Sequence, residues 1–403
     1  MDPLSKALGE IRRVLDDEFF QESVKRAAGH AEEKVPDILD SHPYLKELAR
    51  EVRRVKEEVI SNLDYYIEEA MKSIERIGGK AYLASDASEA REIVGRIVGR
   101  GKLVVMSKSM TAEEIGLREY LESLGNEVWE TDLGQLLIQL EGGKPMHSVA
   151  PAIHLSRERV ASLLREKLGF EVPEGARPED MVRMVRSFLR SKFERADVGI
   201  SGANAIAAET GSIVLVENEG NIRLVTGLPP IHIALAGVEK IVPTLMDAIK
   251  VALVQAAYDG LYPPNYINVI SGPSATADIE HVRVRGAHGP LQLHVVLLDN
   301  GRLEASRNQL LREQLRCIRC GRCQWECPVW QHTANLWGGP AYGGPMGVIW
   351  TAITMGVDAA AGLSMLCLGC RRCDYVCPVE IPLSRILLGL KRIYAHGLLG
   401  GQG

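Results

Sequence analysis

The chain has 403 residues, 46% of them hydrophobic and 25% charged, and a formal net charge of −5. This ordinary globular balance leaves room for two or three domains and excludes a disordered, collagen-like or disulfide-dense chain. The slight acidic excess gives no footing for nucleic acid as a partner.

Residues 1–76 read as a helical segment. Leu4, Leu8, Ile11 and Leu15 recur at helical spacing, and so do Leu45, Leu48, Val52, Val55, Val59, Leu63 and Tyr66. Pro43 stands where a helix would begin, since its missing N–H costs little there. The dense charge of this segment reads as a solvated helix face, or more sharply as a docking arm for a partner. The first twenty residues lack the apolar core and small-residue cleavage site of a secretory signal.

From residue 77 the pattern changes. Strands are predicted at 80–84, 102–106 and 127–130, and helices at 88–99 and 111–124. That alternation argues for a parallel sheet with helices on both faces. A mainly helical excursion, 157–195, precedes strands at 198–200, 213–217, 222–226 and 231–235. Asn218-Glu219-Gly220 reads as a hairpin tip between two of them. A helix at 242–257 and strands at 269–272 and 292–298 follow. Asp299-Asn300-Gly301 marks a boundary, after which an arginine-rich helix is predicted at 302–316. The division is thus a helical segment (1–76), an α/β domain (77–300) and a cysteine-bearing domain (301–403). No apolar run reaches the ~18 residues of a membrane span. Residues 333–369 come nearest, but Gly338, Gly339, Pro340, Gly343, Gly344 and Pro345 interrupt them before a short apolar helix at 348–355.

All eight cysteines lie in the last segment. They form two runs, Cys317-Ile-Arg-Cys320-Gly-Arg-Cys323-Gln-Trp-Glu-Cys327-Pro328 and Cys367-Leu-Gly-Cys370-Arg-Arg-Cys373-Asp-Tyr-Val-Cys377-Pro378. Both are C-x2-C-x2-C-x3-C-P, the bacterial ferredoxin spacing for [4Fe–4S] clusters. Three closely spaced thiolates curl around one cubane, and the fourth reaches the other cluster. By that rule Cys317, Cys320, Cys323 and Cys377 hold one cluster, and Cys367, Cys370, Cys373 and Cys327 hold the other. Zinc on two C-x-x-C pairs is the alternative, but it needs only four ligands. In a cytoplasmic chain, where thiols stay reduced, clustered cysteines point to metal. Arg316, Arg319, Arg322, Arg371 and Arg372 flank the runs, either tuning the clusters, attracting an acidic partner or simply solubilising the surface.

The order of motifs resembles a known family. It comprises Ser107-Lys108-Ser109-Met110-Thr111-x-Glu113-Glu114-Ile115-Gly116, Glu130-Thr131-Asp132-Leu133-Gly134, residues 149–154 (VAPAIH), Ala208-Glu209-Thr210-Gly211, residues 218–226 and residues 241–244, all ahead of the paired cysteine runs. This resembles the LutB-type iron–sulfur proteins of bacterial lactate utilisation, across about residues 40–390. The resemblance implies a LUD domain of the NagB/RpiA/CoA-transferase-like α/β fold and a mainly helical ferredoxin-type domain with two [4Fe–4S] clusters. It also implies a complex with a CCG-type cysteine-rich subunit and a small LUD-domain subunit that supports oxidation of L-lactate to pyruvate. One stretch departs from the family: where a Gly-His-Ala-Tyr-Gly segment is usual, this chain has Gly339-Pro340-Ala341-Tyr342-Gly343.

Within the α/β domain, Ser107, Lys108, Ser109 and Thr111 follow a strand and open a helix, an arrangement suited to a carboxylate or phosphate. Thr111 and Glu114 read as a capping box. Glu209 sits in a tight glycine turn. Glu217 lies in a stretch reminiscent of the nucleophile turn of CoA-transferases. Lys108, Glu209 and Glu217 are thus the weak catalytic candidates. His147, His154 and His232 adjoin apolar runs and read as structural histidines. No G-x-G-x-x-G or Walker A loop is present, so NAD, FAD and ATP have no sequence support. The expectation is an electron-transfer subunit of a lactate-oxidising complex. Alternatives are a wiring subunit for another dehydrogenase or heterodisulfide-type reductase, and a CoA-transferase-like enzyme with structural or regulatory clusters.

Overall fold

The structure is a computed structural model that describes residues 3–400, with side chains described through residue 397. Four helices open the chain: Pro3–Leu15, Glu18–Ser41, Tyr44–Ser61 and Leu63–Arg76. Asp17 caps the second by accepting from Phe20 N at 3.0 Å, and the third begins directly after Pro43. Their apolar stripes are buried, with Val24, Leu45, Val52 and Ile74 inaccessible to solvent or nearly so. Glu18–Ser41 packs on helix Leu245–Asp259 and on the short helices of the first cysteine run, and Tyr44–Ser61 packs on Leu245–Asp259 and the turn Arg312–Arg316. The segment is therefore a strap joining the α/β and cysteine-bearing parts, not a free arm.

The strands are β1 (Lys80–Ala84), β2 (Leu103–Met106), β3 (Glu127–Glu130), β4 (Val198–Ser201), β5 (Ala205–Ala207), β6 (Ile213–Glu217), β7 (Ile231–Gly237), β8 (Ile241–Val242), β9 (Tyr266–Ile270), β10 (Ala275–Thr276), β11 (Val284–Arg285) and β12 (Gln292–Leu298). Six form one parallel sheet in the order β1-β12-β7-β4-β2-β3. β2 and β4 are buried throughout, as both-face coverage by helices requires. The chain leaves β2 for β3 on one side and later returns to β4 on the other. The carboxyl ends of β2 and β4 thus flank the switch point where open α/β sheets bind ligands. A smaller mixed sheet, β8-β5-β6-β9, stands beyond it.

Several expectations are corrected. Residues 222–226 are not a strand but part of helix Asn221–Gly227. Gly220, at φ 84°, turns the chain into that helix, so residues 218–220 are no hairpin tip, and β6 and β7 lie in different sheets. The helix rests directly on β4, where a Cβ on Gly199 would lie 1.9 Å from Val225 O. That notch overrides the β-preference of Ile222, Val225 and Thr226. The helix predicted at 111–124 breaks at Gly116 (φ 60°) into Met110–Glu114 and Leu117–Ser123. Its cap is Ser109, which accepts from Ala112 N at 3.3 Å; Glu114 turns inward, so the Thr111–Glu114 capping box does not form. The arginine-rich helix is shorter than expected, Arg302–Arg307 followed by the 3-10 turn Arg312–Arg316.

The last segment packs short helices around the fully buried Trp330, Trp337 and Trp350. Its two cysteine runs repeat one local conformation. A 3-10 turn (Arg312–Arg316, Leu363–Leu366) leads in, and a helix of one turn (Arg322–Trp325, Arg372–Tyr375) leads out. Between them Arg319 and Gly369, then Gly321 and Arg371, take φ of 65–75°. Arg319 and Arg371, each matched by a glycine in the other run, therefore hold a left-handed conformation, a cost the loop accepts to curl its thiols inward.

Candidate functional site

Cys317, Cys320, Cys323 and Cys377 line one recess, together with Ile318, Met346 and Leu383. Cys327, Cys367, Cys370 and Cys373 line a second, with Val329, Trp337 and Leu387. Each recess thus draws three cysteines from one run and the fourth from the other. Backbone N–H groups point at the sulfurs: Gly369 N donates to Cys367 Sγ and Ile381 N to Cys377 Sγ, both at 3.4 Å. Burial pushes the Cys327 thiol up to about 12 and Cys377 to about 11, and it raises Cys320, Cys323 and Cys373 as well. Such thiols ionise only for a cation that repays the desolvation, and an apolar recess with N–H donors fits a thiolate-bound iron–sulfur group. Among the described residues no three Cys, His, Asp or Glu side chains converge as a single metal ion requires.

The first recess abuts a buried ion network. Arg302 spans Glu114, with Nη1 to Oε1 at 2.9 Å and Nη2 to Oε2 at 2.6 Å, and reaches Glu239 Oε2 through Nε at 2.5 Å. Arg319 Nη2 donates to Glu239 Oε1 at 3.0 Å, and Tyr342 Oη donates to Glu114 Oε2 at 2.6 Å. Lys56 Nζ donates to Glu239 O. The guanidinium of Arg319 lies 3.7 Å from the Trp350 ring centroid. Burial alone would raise the Glu239 carboxyl, but Arg302 and Arg319 outweigh it and bring it down to about 2. Glu114 and Glu239 come from the α/β part, Arg302 from just past its boundary, and Arg319 and Tyr342 from the cysteine-bearing part, so the network welds the two.

On its other side Arg319 lines a cavity of about 270 Å³ at the switch point. Lys108, Ser109 and Thr111 enter it from the end of β2, Gly202 from β4 and Asp132 from β3. Glu217 and Glu219 close it from the smaller sheet, and Lys240, Gln255 and Asp259 from the segment that follows β7. Lys108 Nζ donates to Val149 O at 2.6 Å. Burial brings Lys240 down to about 7, and it raises Asp259 to about 7. Glu219 also rises to about 7, by burial and then by the charge of Asp132.

A family model described as the LUD domain matches residues 67–298, more than half of the chain. A second, the 4Fe–4S dicluster domain, matches residues 313–381. Lactate utilization protein B of Bacillus subtilis is 34% identical over 382 residues, 94% of this chain and 78% of its own length. The chain belongs to the family of LUD-domain iron–sulfur proteins that includes lactate utilization protein B. Its namesake from Bacillus licheniformis is 35% identical over 378 residues (93% of this chain, 77% of the relative). A protein of Escherichia coli described as the uncharacterized electron transport protein YkgF is 35% identical over 389 residues (96% and 80%). A solved DUF162 family protein from Deinococcus radiodurans aligns with 59% of this chain and 98% of its own, at 16% identity and a TM-score of 0.32.

In this LUD-domain protein the sequence candidates meet different fates. Lys108, Ser109, Thr111 and Glu217 gather at the cavity, whereas Ser107 is buried in the sheet, its N–H donating to Ile200 O at 2.9 Å. Glu217 is held by Arg223 Nε at 3.0 Å and Asn268 Nδ2 at 2.9 Å. Glu209 stands apart and caps helix Leu245–Asp259 by accepting from Leu245 N at 2.9 Å. His147 stacks on Trp325 at 3.6 Å beneath Gly321, and burial holds it well below its ordinary range. His232 bonds Ser201 Oγ at 2.8 Å inside the sheet, and the ring of His154 lies edge-on to Phe20.

The flanking arginines also divide. Arg316, Arg319 and Arg322 are buried; Arg322 reaches Ala31 O at 2.8 Å, and Arg316 reaches Glu380 O at 3.0 Å. They are therefore internal struts, not a surface for an acidic partner. Pro340 is exposed, while its neighbour Tyr342 is buried in the ion network. Arg302 and Glu239 of the ion network and Lys240 and Asp259 of the cavity are candidate-site residues that sequence reasoning missed. Only the oddity of charges inside apolar stretches, as in residues 233–243, could have flagged them.

Proposed function

We propose that this chain is the iron–sulfur electron-transfer subunit of a lactate-utilisation system. Two [4Fe–4S] clusters are held by crossed cysteine sets, Cys317, Cys320, Cys323 and Cys377 for one, and Cys327, Cys367, Cys370 and Cys373 for the other. The observation that carries the reading is the exchange of Cys327 and Cys377 between the two recesses. Bound there, the clusters would supply one-electron carriage. The chain's own residues set its direction. Arg319, one residue before Cys320, places the first set against the LUD cavity. The second set reaches the surface, where Cys370 is exposed and Leu368 and Tyr375 are 70% and 75% accessible. The partners are a CCG-type cysteine-rich subunit and a small LUD-domain subunit, in the cytoplasm.

Relatives named for lactate utilisation and electron transport support this over the transferase reading. Glu217 also argues against the latter, since its carboxylate is tied to Arg223 and Asn268 and not free to attack. The test is to co-purify the chain anaerobically with its neighbours and add L-lactate. The visible absorbance of the clusters should bleach at a rate set by lactate. Co-purification with a different dehydrogenase, or no bleaching by lactate in the assembled complex, would contradict it.

A further inference from the structure

We propose that the basic face around the second cysteine set, apolar at its centre, is the docking surface for an acid-rimmed one-electron redox protein. This rests on the electron-carrier reading and deepens it, fixing where the electron crosses and what surface the partner presents. Large apolar side chains stand in water at the loop that carries Cys370. Leu368 is 70% accessible and shares the second recess with Cys370 and Arg371. The Arg371 guanidinium lies 5.5 Å from the ring centroid of Tyr375, itself 75% accessible. Leu388, also exposed, borders the same loop, since a Cβ on Gly369 would meet it at 3.9 Å. Exposed apolar side chains gathered inside a polar rim mark an interaction surface, and their place beside a cluster ligand suits a partner that exchanges electrons.

Charge selects the occupant. The chain as a whole carries −5, but from Leu363 to residue 403 it has five lysines and arginines against two acids. Both acids are already engaged. Asp374 turns inward to accept from Ser384 N at 2.8 Å, and Glu380 pairs with Arg53 at 2.5 Å. Two of the cations are engaged as well: Lys391 donates to Cys367 O at 2.5 Å, and Arg385 is held by Glu313. Arg371 is 63% exposed and keeps only a 3.7 Å contact with Asp374. Arg372 and Arg392 are exposed and form no ion pair with a described residue. Leu388 and Arg392 stand four residues apart on helix Leu383–Gly400, so this cation borders the apolar centre. Such a rim attracts and orients an acidic surface. A second copy of the chain does not fit, because a two-fold contact would set each basic rim against its twin.

The test reduces the iron-loaded full chain with dithionite, so that lactate plays no part. Stopped-flow absorbance then follows its oxidation by native cytochrome c, which is basic, and by cytochrome c succinylated on its lysines, which is acidic and carries the same haem. One electron leaves the chain and turns ferric haem ferrous, with no bond made and no proton moved. At low salt the acidic form should react about tenfold faster or more, and the advantage should fade as salt rises. Net charge alone predicts the reverse order, since the chain is acidic overall. Arg392→Glu lies outside the cysteine run and should cut the advantage severalfold; Arg372→Glu with Arg392→Glu should abolish it. Both are checked for wild-type iron content. Faster reaction of the native form, equal rates, or a wild-type preference in the double variant would overturn the proposal. So would a wild-type dimer in sedimentation that Arg392→Glu dissociates, since the face would then belong to a second copy. A chain that shows the preference yet is not reduced by lactate in its complex would sink the lactate reading and leave this face standing. Zinc in place of iron would sink both.

Discussion

Arg302 shows how much a single side chain carries here. It is fully buried and satisfies two carboxylates that would otherwise be charged and unpaired. Removing one partner of such a group costs more than the pair contributes, because the survivors stay buried. Arg302→Met should therefore destabilise the protein by about 3–5 kcal/mol in urea unfolding followed by tryptophan fluorescence. A loss below about 1 kcal/mol would contradict the network's role. The pH dependence follows from Glu239, whose folded carboxyl lies near 2 against an ordinary 4.5. A depressed acid stabilises the fold fully above its unfolded value, and that contribution is lost as pH falls from about 4.5 through 2. In Arg302→Met this acid limb should be shallower, since the strongest source of the depression is gone. At this scale the cysteines were legible because their chemistry is local and lies in their spacing. The cavity was only half legible. Lys108 and its neighbours announced themselves beside a strand, but Arg319, Lys240 and Asp259 come from distant segments that only the folded chain brings together.

At the scale of elements, Gly199 and helix Asn221–Gly227 form one unit. The helix can lie on β4 only because residue 199 has no side chain. Gly199→Ala would drive a Cβ to 1.9 Å from a backbone carbonyl, which cannot swing aside as a flexible side chain could. The expected loss is about 1–3 kcal/mol, seen as a lower thermal midpoint. Loosening of the Glu217–Arg223 pair beside the cavity should accompany it. An unchanged midpoint would show that the helix is not seated as described. The same unit explains a misreading. Ile222, Val225 and Thr226 favour strand in isolation, and the glycine that reverses the preference lies more than twenty residues earlier. Strands β1, β3, β6 and β12, set off by turn residues and helical stretches, were legible over their full lengths. β5 and β8, three and two residues long, are too short to show any period.

Over the whole molecule, the N-terminal strap, the LUD sheet and the cysteine-bearing helices close around one line of chemistry. It runs from the switch-point cavity through Arg319 to the first cysteine set, and on to the second set at the surface. The strap's charge gave no hint of this, since a helix that bridges two parts has the same amphipathic pattern as one that covers a single core. Among the described residues no helix is long and apolar enough to cross a membrane. The central claim is the crossed holding of two clusters, and iron and sulfide content with low-temperature EPR tests it most directly. Anaerobically purified wild type should carry about eight iron and eight sulfide, with two interacting signals on reduction. Cys327→Ser should then perturb the same signal as Cys370→Ser, and Cys377→Ser the same as Cys320→Ser. Zinc in place of iron, or Cys327→Ser grouping with Cys320→Ser, would contradict the account.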